Sequence, residues 1–402
     1  MRVEHLSLTN FRNYARLELT LPTQPVVLVG ENAQGKTTLL ESLYYLATTR
    51  SPYTTSDRQL IHWRTEKDPL PFARLVGDIR RKERLITLDM TLVLDNTALS
   101  PRFRKTIRIN NVEKRVMDAV GLLNAVMFLP RDLTLVEGAP VNRRDFMNDT
   151  LSQVDVNYLR ALEDYEKHMT QRNALLRRIA EKRARPSELA YWDEQLSAAG
   201  AVLIAGRQRF LRELEDRAQH QHHALTGGQE LLTLHYQPSF TPTARGDGQR
   251  SFDLLGLDLH RELTAEEIAP QFWEQLQREQ RESIERGATL SGPHRDELRM
   301  FVNGRDCGLF GSRGQARTVV LALKLAELSW MRDRIGEPPL LLLDEVIAEL
   351  DTKRRAYLLA RLGDDAQTLI TTTDTDVFPR EFLARAAVWR VQNGQIVQDV
   401  AL

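Results

Sequence analysis

The run Gly30-Glu-Asn-Ala-Gln-Gly-Lys-Thr-Thr38 has the residue types and spacing of a loop that holds a chain of phosphates. Gly30 and Gly35 permit backbone angles that a side chain forbids. The N–H groups of the loop, from Glu31, Asn32, Ala33 and Gln34 onward, can therefore converge on phosphate oxygens at the positive end of the helix that follows. Lys36 would reach the β- and γ-phosphates, the Thr37 hydroxyl would coordinate Mg²⁺, and Thr38 would touch the α-phosphate. The expected cofactors are ATP and Mg²⁺.

Such a loop needs a carboxylate to hold the metal and, for hydrolysis, another to direct water. Pro339-Leu-Leu-Leu-Leu-Asp-Glu345 supplies both. A buried strand would deliver Asp344 to its C-terminal edge, holding the metal through water, and Glu345 would polarise the attacking water. Lys36, Asp344 and Glu345 are the candidate catalytic residues, and Thr37 and Asp344 the candidate metal ligands. A third element, Phe310-Gly-Ser-Arg-Gly-Gln-Ala-Arg317, opens a helix ahead of that strand. Ser312 is a good helix cap and Gly314 permits close backbone approach. With Gln315 they make a second anion-binding helix end. One nucleotide does not need two phosphate sites in one chain. The economical reading is that Ser312 of one copy completes the site built around Lys36 of another, so that ATP joins a head-to-tail homodimer. Ala348-Glu-Leu-Asp351 would then cross that interface.

The elements that must position these groups can be read from periodicity. Pro25-Val-Val-Leu-Val29 is a short apolar run bounded by proline, expected to be a buried strand, and Leu39 onward has helical spacing. Residues 1–130 look strand-rich: Val3–Leu8, Arg16–Leu21, Phe72–Ile79, Leu85–Leu94 and Thr106–Ile109, with a turn at Asn110-Asn111. From about Asn142 to Arg286 the period becomes helical, with breaks near 186 and 226, and 226–250 reads as a loop or hairpin rich in turn residues. Strands return at Glu297–Val302, Pro339–Leu343 and Gln367–Thr371. A hairpin closes the pattern, Ala387–Val391 and Gln395–Val400 about Asn393-Gly394. The expected fold class is α/β: a phosphate-loop ATPase head with a β-rich subdomain, residues 1–141 and 287–402, split by an inserted α-helical arm lobe, residues 142–286.

Composition narrows the function classes. A chain of 402 residues with 42% hydrophobic residues can bury a sizeable core. No run approaches the roughly 18 apolar residues that span a bilayer, and the N-terminus lacks a signal-peptide pattern. The one cysteine, Cys307, rules out an internal disulfide and fits a reducing cytoplasm. Lys and Arg together number 55, as do Asp and Glu, so nucleic-acid binding must come from local patches. Candidate patches are Arg172, Arg177, Arg178, Lys182, Arg183 and Arg185, then Arg80–Arg84, then Arg102–Lys105.

With these motifs the chain resembles the ABC-type ATPase superfamily in its chromosome-maintenance branch with the SMC proteins, and more narrowly the RecF-like family. The resemblance covers essentially the whole chain. It rests on Leu6–Tyr14, Gly30–Thr38, Pro130–Phe146, Gln171–Leu176, Gly292–Leu298, Ser312–Gln315 and Leu343–Asp351. It implies an SMC-like head, slow switch-like ATP hydrolysis stimulated by DNA, and dimerisation on ATP. It implies binding to duplex DNA and to gapped or single-strand/double-strand junctions, work with RecO and RecR, RecA loading, and a part in the SOS response. It implies Arg12 close to the nucleotide. Two positions depart from the family pattern. The Mg²⁺-sensing glutamine has no evident counterpart at Ala125–Pro130. Thr373 stands near the usual sensor histidine and cannot become cationic near neutral pH.

Other constellations read as structural. His220, His222 and His223 suit a solvated helix face. Ser291, His294 and Asp296 are too close in sequence for a hydrolytic triad. Trp63, Trp192, Trp273, Trp330 and Trp389 suit packing. An SMC-like structural clamp without junction preference is the alternative reading, but the insertion lacks sustained heptads and a Cys-x-x-Cys hook.

Overall fold

The computed structural model describes residues 1–65, 67–97, 101–240, 242, 263–362 and 366–398, and they pack as two units. The first comprises Met1–Asp132 and Glu327–Leu402, the second Leu133–Ala326.

Two six-stranded sheets build the first unit. One is antiparallel, in the order Tyr14–Thr20, Arg2–Phe11, Phe72–Arg81, Arg84–Asp95, Arg102–Ile109, Val112–Lys114. Its strands alternate buried and exposed residues, as a sheet with one solvated face must. Asn110 and Asn111, both at positive φ, make the tight turn that joins its last pair. The other sheet runs Gln395–Val397, Ala387–Gln392, Val26–Val29, Thr368–Thr372, Leu340–Asp344, Ala125–Phe128. All its pairs are parallel except the last hairpin. Parallel strands are covered on both faces, which explains the unbroken apolar runs at Val26–Val29 and Leu340–Leu343. The helix Lys36–Thr48 joins both sheets in one hydrophobic core, through Leu39, Leu43 and Leu46 with Leu6, Leu75, Leu28 and Leu342. Its contact is close: a Cβ on Gly77 would lie 2.9 Å from Leu46 Cδ1.

The second unit is helical, but not only helical. Helices Pro140–Val154, Val156–Ala180, Leu189–Thr226, Ala265–Arg278 and Gln280–Arg286 pack with a three-stranded sheet of Leu232–Gln237, Glu297–Val302 and Arg305–Asp306. Leu232–Gln237 lies inside the stretch expected to be loop or hairpin. Its buried Leu232, Leu234 and Tyr236 alternate with less buried neighbours and pair with Glu297–Val302. Within that stretch, 241 and 243–250 lie outside the described residues, as does the end of the expected strand Gln395–Val400. By packing, 287–326 goes with the second unit, because Glu297–Val302 pairs there and Arg143 binds Glu297 at 2.6 Å.

Buried ion pairs hold this unit, and several sequence expectations are corrected by burial. Arg172 is not part of a basic surface: it is fully buried, with Nε donating to Asp193 at 2.6 Å and Nη1 to the Thr289 hydroxyl at 2.9 Å. Helical spacing alone hid this, because Arg172 faces inward beside Leu175, Leu176 and Ile179. His222 is buried rather than solvated, 3.7 Å from Glu230. Trp273 is 40% exposed and, in the first unit, Trp63 is 67% exposed, rather than packed.

The Gly292–Leu298 segment is a packing node. Asp296 accepts Arg207 Nη1 at 2.9 Å, the Ser239 amide at 3.0 Å and the Tyr236 hydroxyl, while Arg207 also reaches the Pro293 carbonyl at 2.7 Å. His294 meets the Tyr165 hydroxyl at 2.7 Å, and burial holds its imidazole down to about pKa 4. Ser291 binds Glu279. The three side chains of the supposed triad thus serve three different partners.

Asp193→Ala leaves the Arg172 guanidinium buried without its carboxylate. Removing one partner of a buried pair costs about 3–5 kcal/mol. Urea denaturation followed by circular dichroism should show that loss, and a midpoint unchanged from wild type would contradict the account.

Candidate nucleotide and metal site

All the loop candidates from Gly30 to Thr38 lie where the central strand Val26–Val29 gives way to the helix Lys36–Thr48. The carboxyl ends of Val26–Val29, Leu340–Asp344 and Thr368–Thr372 share one sheet edge, where ligands of open α/β sheets bind. Gly30 is required by crowding: a Cβ there would sit 2.4 Å from the Val391 carbonyl oxygen. Gly35 is required twice. Its φ is 117°, and a Cβ would fall 2.9 Å from Asn13 Nδ2 and 3.0 Å from the Tyr14 hydroxyl. Ala33 also has positive φ, and Glu31, Asn32 and Ala33 are exposed. Gln34 anchors the loop outward: its Oε1 accepts the Asn393 amide at 2.7 Å and its carbonyl the Gly394 amide at 3.0 Å.

Lys36 is buried. Its Nζ donates to the carbonyls of Gly30 at 2.8 Å and Glu31 at 2.9 Å, and lies 3.3 Å from Glu345 Oε1. Thr37 Oγ1 donates to Asp344 Oδ1 at 2.8 Å. Residues distant in sequence but expected to cooperate therefore touch. Asp344 is buried, whereas the Glu345 side chain keeps 38% of its surface exposed. Glu345 sits at φ 54°, with its amide donating to Thr371 Oγ1 at 2.8 Å. Hydroxyl and carboxylate oxygens are the hard donors that Mg²⁺ prefers, so Thr37 and Asp344 fit that ion.

Two ligands of Asp344 escaped sequence reasoning. Thr371 Oγ1 donates to Oδ1 at 2.8 Å and the Tyr53 hydroxyl to Oδ2 at 2.6 Å. Burial, then the Asp344 charge, pushes the Tyr53 phenol far above its ordinary range, so it remains a donor. The signal for Thr371 was its place at the end of the neighbouring strand. Tyr53 follows the helix in an irregular segment and carried none. Thr373 is exposed, two residues past Thr371.

Arg12, in a turn at φ 53°, is gripped by Glu41: Nε to Oε2 at 3.0 Å and Nη2 to Oε1 at 2.7 Å. It also donates to the Gln59 carbonyl at 3.2 Å. Arg12, Lys36, Thr37, Thr38 and Glu345 line one cleft of about 400 Å³.

Ser312, Gly314 and Gln315 belong to the second unit. The Ser312 hydroxyl accepts the Gln315 amide at 3.2 Å and Gln315 Oε1 accepts the Ser312 amide at 3.0 Å, a reciprocal cap at the start of helix Arg313–Ile335. Gln315 Nε2 donates to Glu230 at 2.7 Å. Ser312 and Gly314 are exposed, and a Cβ on Gly314 would meet only Ser312 Oγ at 3.8 Å. No neighbour among the described residues demands glycine there.

The remaining basic candidates sort by environment. Arg80 binds Glu4 at 3.0 Å, Arg81 binds Glu337 at 3.1 Å, and Lys105 is tied to Asp57 at 3.1 Å. Arg177, Arg178, Lys182, Arg183 and Arg185 are exposed, as are Arg84, Arg102 and Arg104. Arg183 pairs with Glu181 at 3.1 Å. Among the described residues no helix is long and apolar enough to cross a membrane.

Comparison with known proteins gives one family. The family model described as the RecF/RecN/SMC N terminal domain matches residues 2–395. A DNA replication and repair protein RecF of Chloroflexus aurantiacus is 44% identical, over 98% of this chain and 99% of that one. The solved recombination mediator protein RecF-ATP of the RecFOR pathway superposes with TM-score 0.81 at 25% identity, covering 99% of this chain and 97% of that chain. An SMC head bound to the winged helix domain of ScpA shares the fold, with TM-score 0.53 at 13% identity, over 100% and 98% of the two chains.

Gly35→Ala would force a strained φ and a Cβ into Asn13 and Tyr14. It should destabilise the protein by about 2 kcal/mol or more. Chemical denaturation checks this, and a wild-type midpoint would remove the argument for the glycine.

Proposed function

The chain belongs to the RecF family of DNA replication and repair proteins, and from that premise we propose that it is an ATP-switched DNA-binding protein whose two copies close on shared nucleotide. The carrying observation is the meeting of Lys36, Thr37, Asp344 and Glu345 at one sheet edge. Supporting it, Ser312 and Gly314 are exposed, and a Cβ on Gly314 would meet only Ser312 Oγ, at ordinary contact distance. Close approach by a second copy's nucleotide explains that glycine. Leu309 and Phe310 just before it are 65% and 75% exposed, an apolar pair suited to a contact surface.

In this reading Lys36 exchanges the carbonyls of Gly30 and Glu31 for the β- and γ-phosphates. Thr37 and Asp344 would hold Mg²⁺, which would neutralise charge on the phosphates. Glu345, fixed through its amide by Thr371, takes a proton from water. Arg12, already oriented by Glu41, adds positive charge at the nucleotide. The exposed cations Arg177, Arg178, Lys182 and Arg185, with Arg84, Arg102 and Arg104, are the candidates for phosphate contacts to duplex and gapped DNA. RecO and RecR are the proposed partners, since the solved relative is a mediator of the RecFOR pathway. RecA loading at gap edges, and through it the SOS response, is the proposed outcome.

The deciding experiment is binding to gapped duplex, blunt duplex and single-stranded DNA at one salt, with and without ATP–Mg²⁺. Tighter ATP-dependent binding, preferring the gap and lost in Lys36→Met, is expected. Binding indifferent to ATP would refute the switch, and equal binding to gapped and blunt duplex would favour a clamp without junction preference. Ser312→Arg should bind ATP normally yet remain monomeric in sedimentation with ATP. Dimerisation of that variant would sink the shared site. Tyr53→Phe should raise the Mg²⁺ needed for half-maximal ATP hydrolysis by roughly tenfold, the effect of losing an outer-shell partner. An unchanged Mg²⁺ dependence would show that Tyr53 acts only in packing.

A further inference from the structure

The cleft that contains Lys36 and Thr38 is also lined by Ile61 and Trp63. Trp63 is 67% exposed there, whereas Trp330 and Trp389 are buried to 2% and 3% exposure. A large apolar ring left in water beside a phosphate loop calls for an explanation.

The wall that carries it is built firmly. The Arg12 amide donates to the Leu60 carbonyl at 2.7 Å, the His62 amide to the Asn10 carbonyl at 2.8 Å, and Phe11 bridges Ile61. Trp63 begins a short 3₁₀ turn, closed by the Thr65 amide on the His62 carbonyl at 3.0 Å. Its ring lies 5.5 Å from the His62 ring, and the Arg64 guanidinium is 5.2 Å from the indole centroid. The indole is therefore positioned by the same backbone ladder that positions Arg12.

We propose that Trp63 stacks on the base of the bound nucleotide, with Ile61 as the apolar edge of the same wall. This rests on the ATP reading above. Phosphates held by Lys36, Thr37 and Thr38 leave the sugar and base to extend from the loop, and the cleft supplies a flat apolar surface in reach. Every base has a π-face, and stacking on an aromatic ring strengthens binding by roughly tenfold or more. Gln59 also lines the cleft, with its Oε1 already taken by the Thr54 hydroxyl at 2.6 Å.

The test is calorimetric titration of the full chain with Mg·ATP and, separately, with Mg·tripolyphosphate, which has phosphates and no base. Wild type should bind ATP about tenfold or more tightly over tripolyphosphate. Trp63→Ala should lose most of that preference by weakening ATP alone, and Trp63→Phe should keep it. Tryptophan fluorescence should be quenched by ATP in wild type, and less in Trp63→Phe. If Trp63→Ala binds ATP as wild type does, the base does not stack there, and the ATP reading stands without it. If ATP and tripolyphosphate weaken together in Trp63→Ala, the residue is structural and the proposal fails. If wild type binds neither ligand, both readings fall.

Discussion

One buried carboxylate organises the first unit. Asp344 sits at the end of an all-buried strand, where a charge without donors would cost several kcal/mol. Three hydroxyls meet it, from Thr37 at 2.8 Å, Thr371 at 2.8 Å and Tyr53 at 2.6 Å. They come from the loop helix, the neighbouring strand and the segment after the helix. The register that sets Asp344 opposite Thr371 is the register of the whole parallel sheet, because a one-residue slip of either strand would put the two side chains on opposite faces. Sheet, helix and loop are thus tied together at the point where the chemistry is placed.

The second unit applies the same rule to different charges. Arg207 with Asp296 and Arg172 with Asp193 are withdrawn from water and paired with fixed carboxylates. The Gly-Pro-His segment, which read as a family mark, gains a physical meaning. Gly292 adopts φ 128°, where a Cβ would press within 2.4 Å of the Tyr165 hydroxyl. That leaves Asp296 free to take Arg207, Tyr236 and Ser239.

Much of this was legible from the residues. The phosphate loop, the Asp344-Glu345 strand and the Ser312 cap have local signatures, and the antiparallel strands declare themselves by alternation. The apolar runs Val26–Val29 and Leu340–Leu343 were readable because parallel strands are buried on both faces. What stayed hidden depends on partners far along the chain. Arg172 looks like its exposed neighbours Arg177 and Arg178 until Asp193 is brought against it. Tyr53 gains its role only from Asp344, and Leu232–Gln237 becomes a strand by pairing with Glu297–Val302. Trp63 read as core because large apolar rings usually are, and only the cleft reverses that expectation.

The Gln34 anchor on Asn393 joins groups separated by 359 residues. Val3 is bonded to Gln367 across 364 residues, and Thr37 to Asp344 across 307. Proteins emerge from the ribosome N-terminus first, at about 5–20 residues per second. The glycine loop therefore waits on the order of tens of seconds for the carboxylate and the hairpin that fix its shape. Through that interval the strand Val26–Val29 has neither of its neighbours in the finished sheet. During synthesis this apolar edge is a hazard for aggregation, and protection of the nascent N-terminal segment becomes part of making the site.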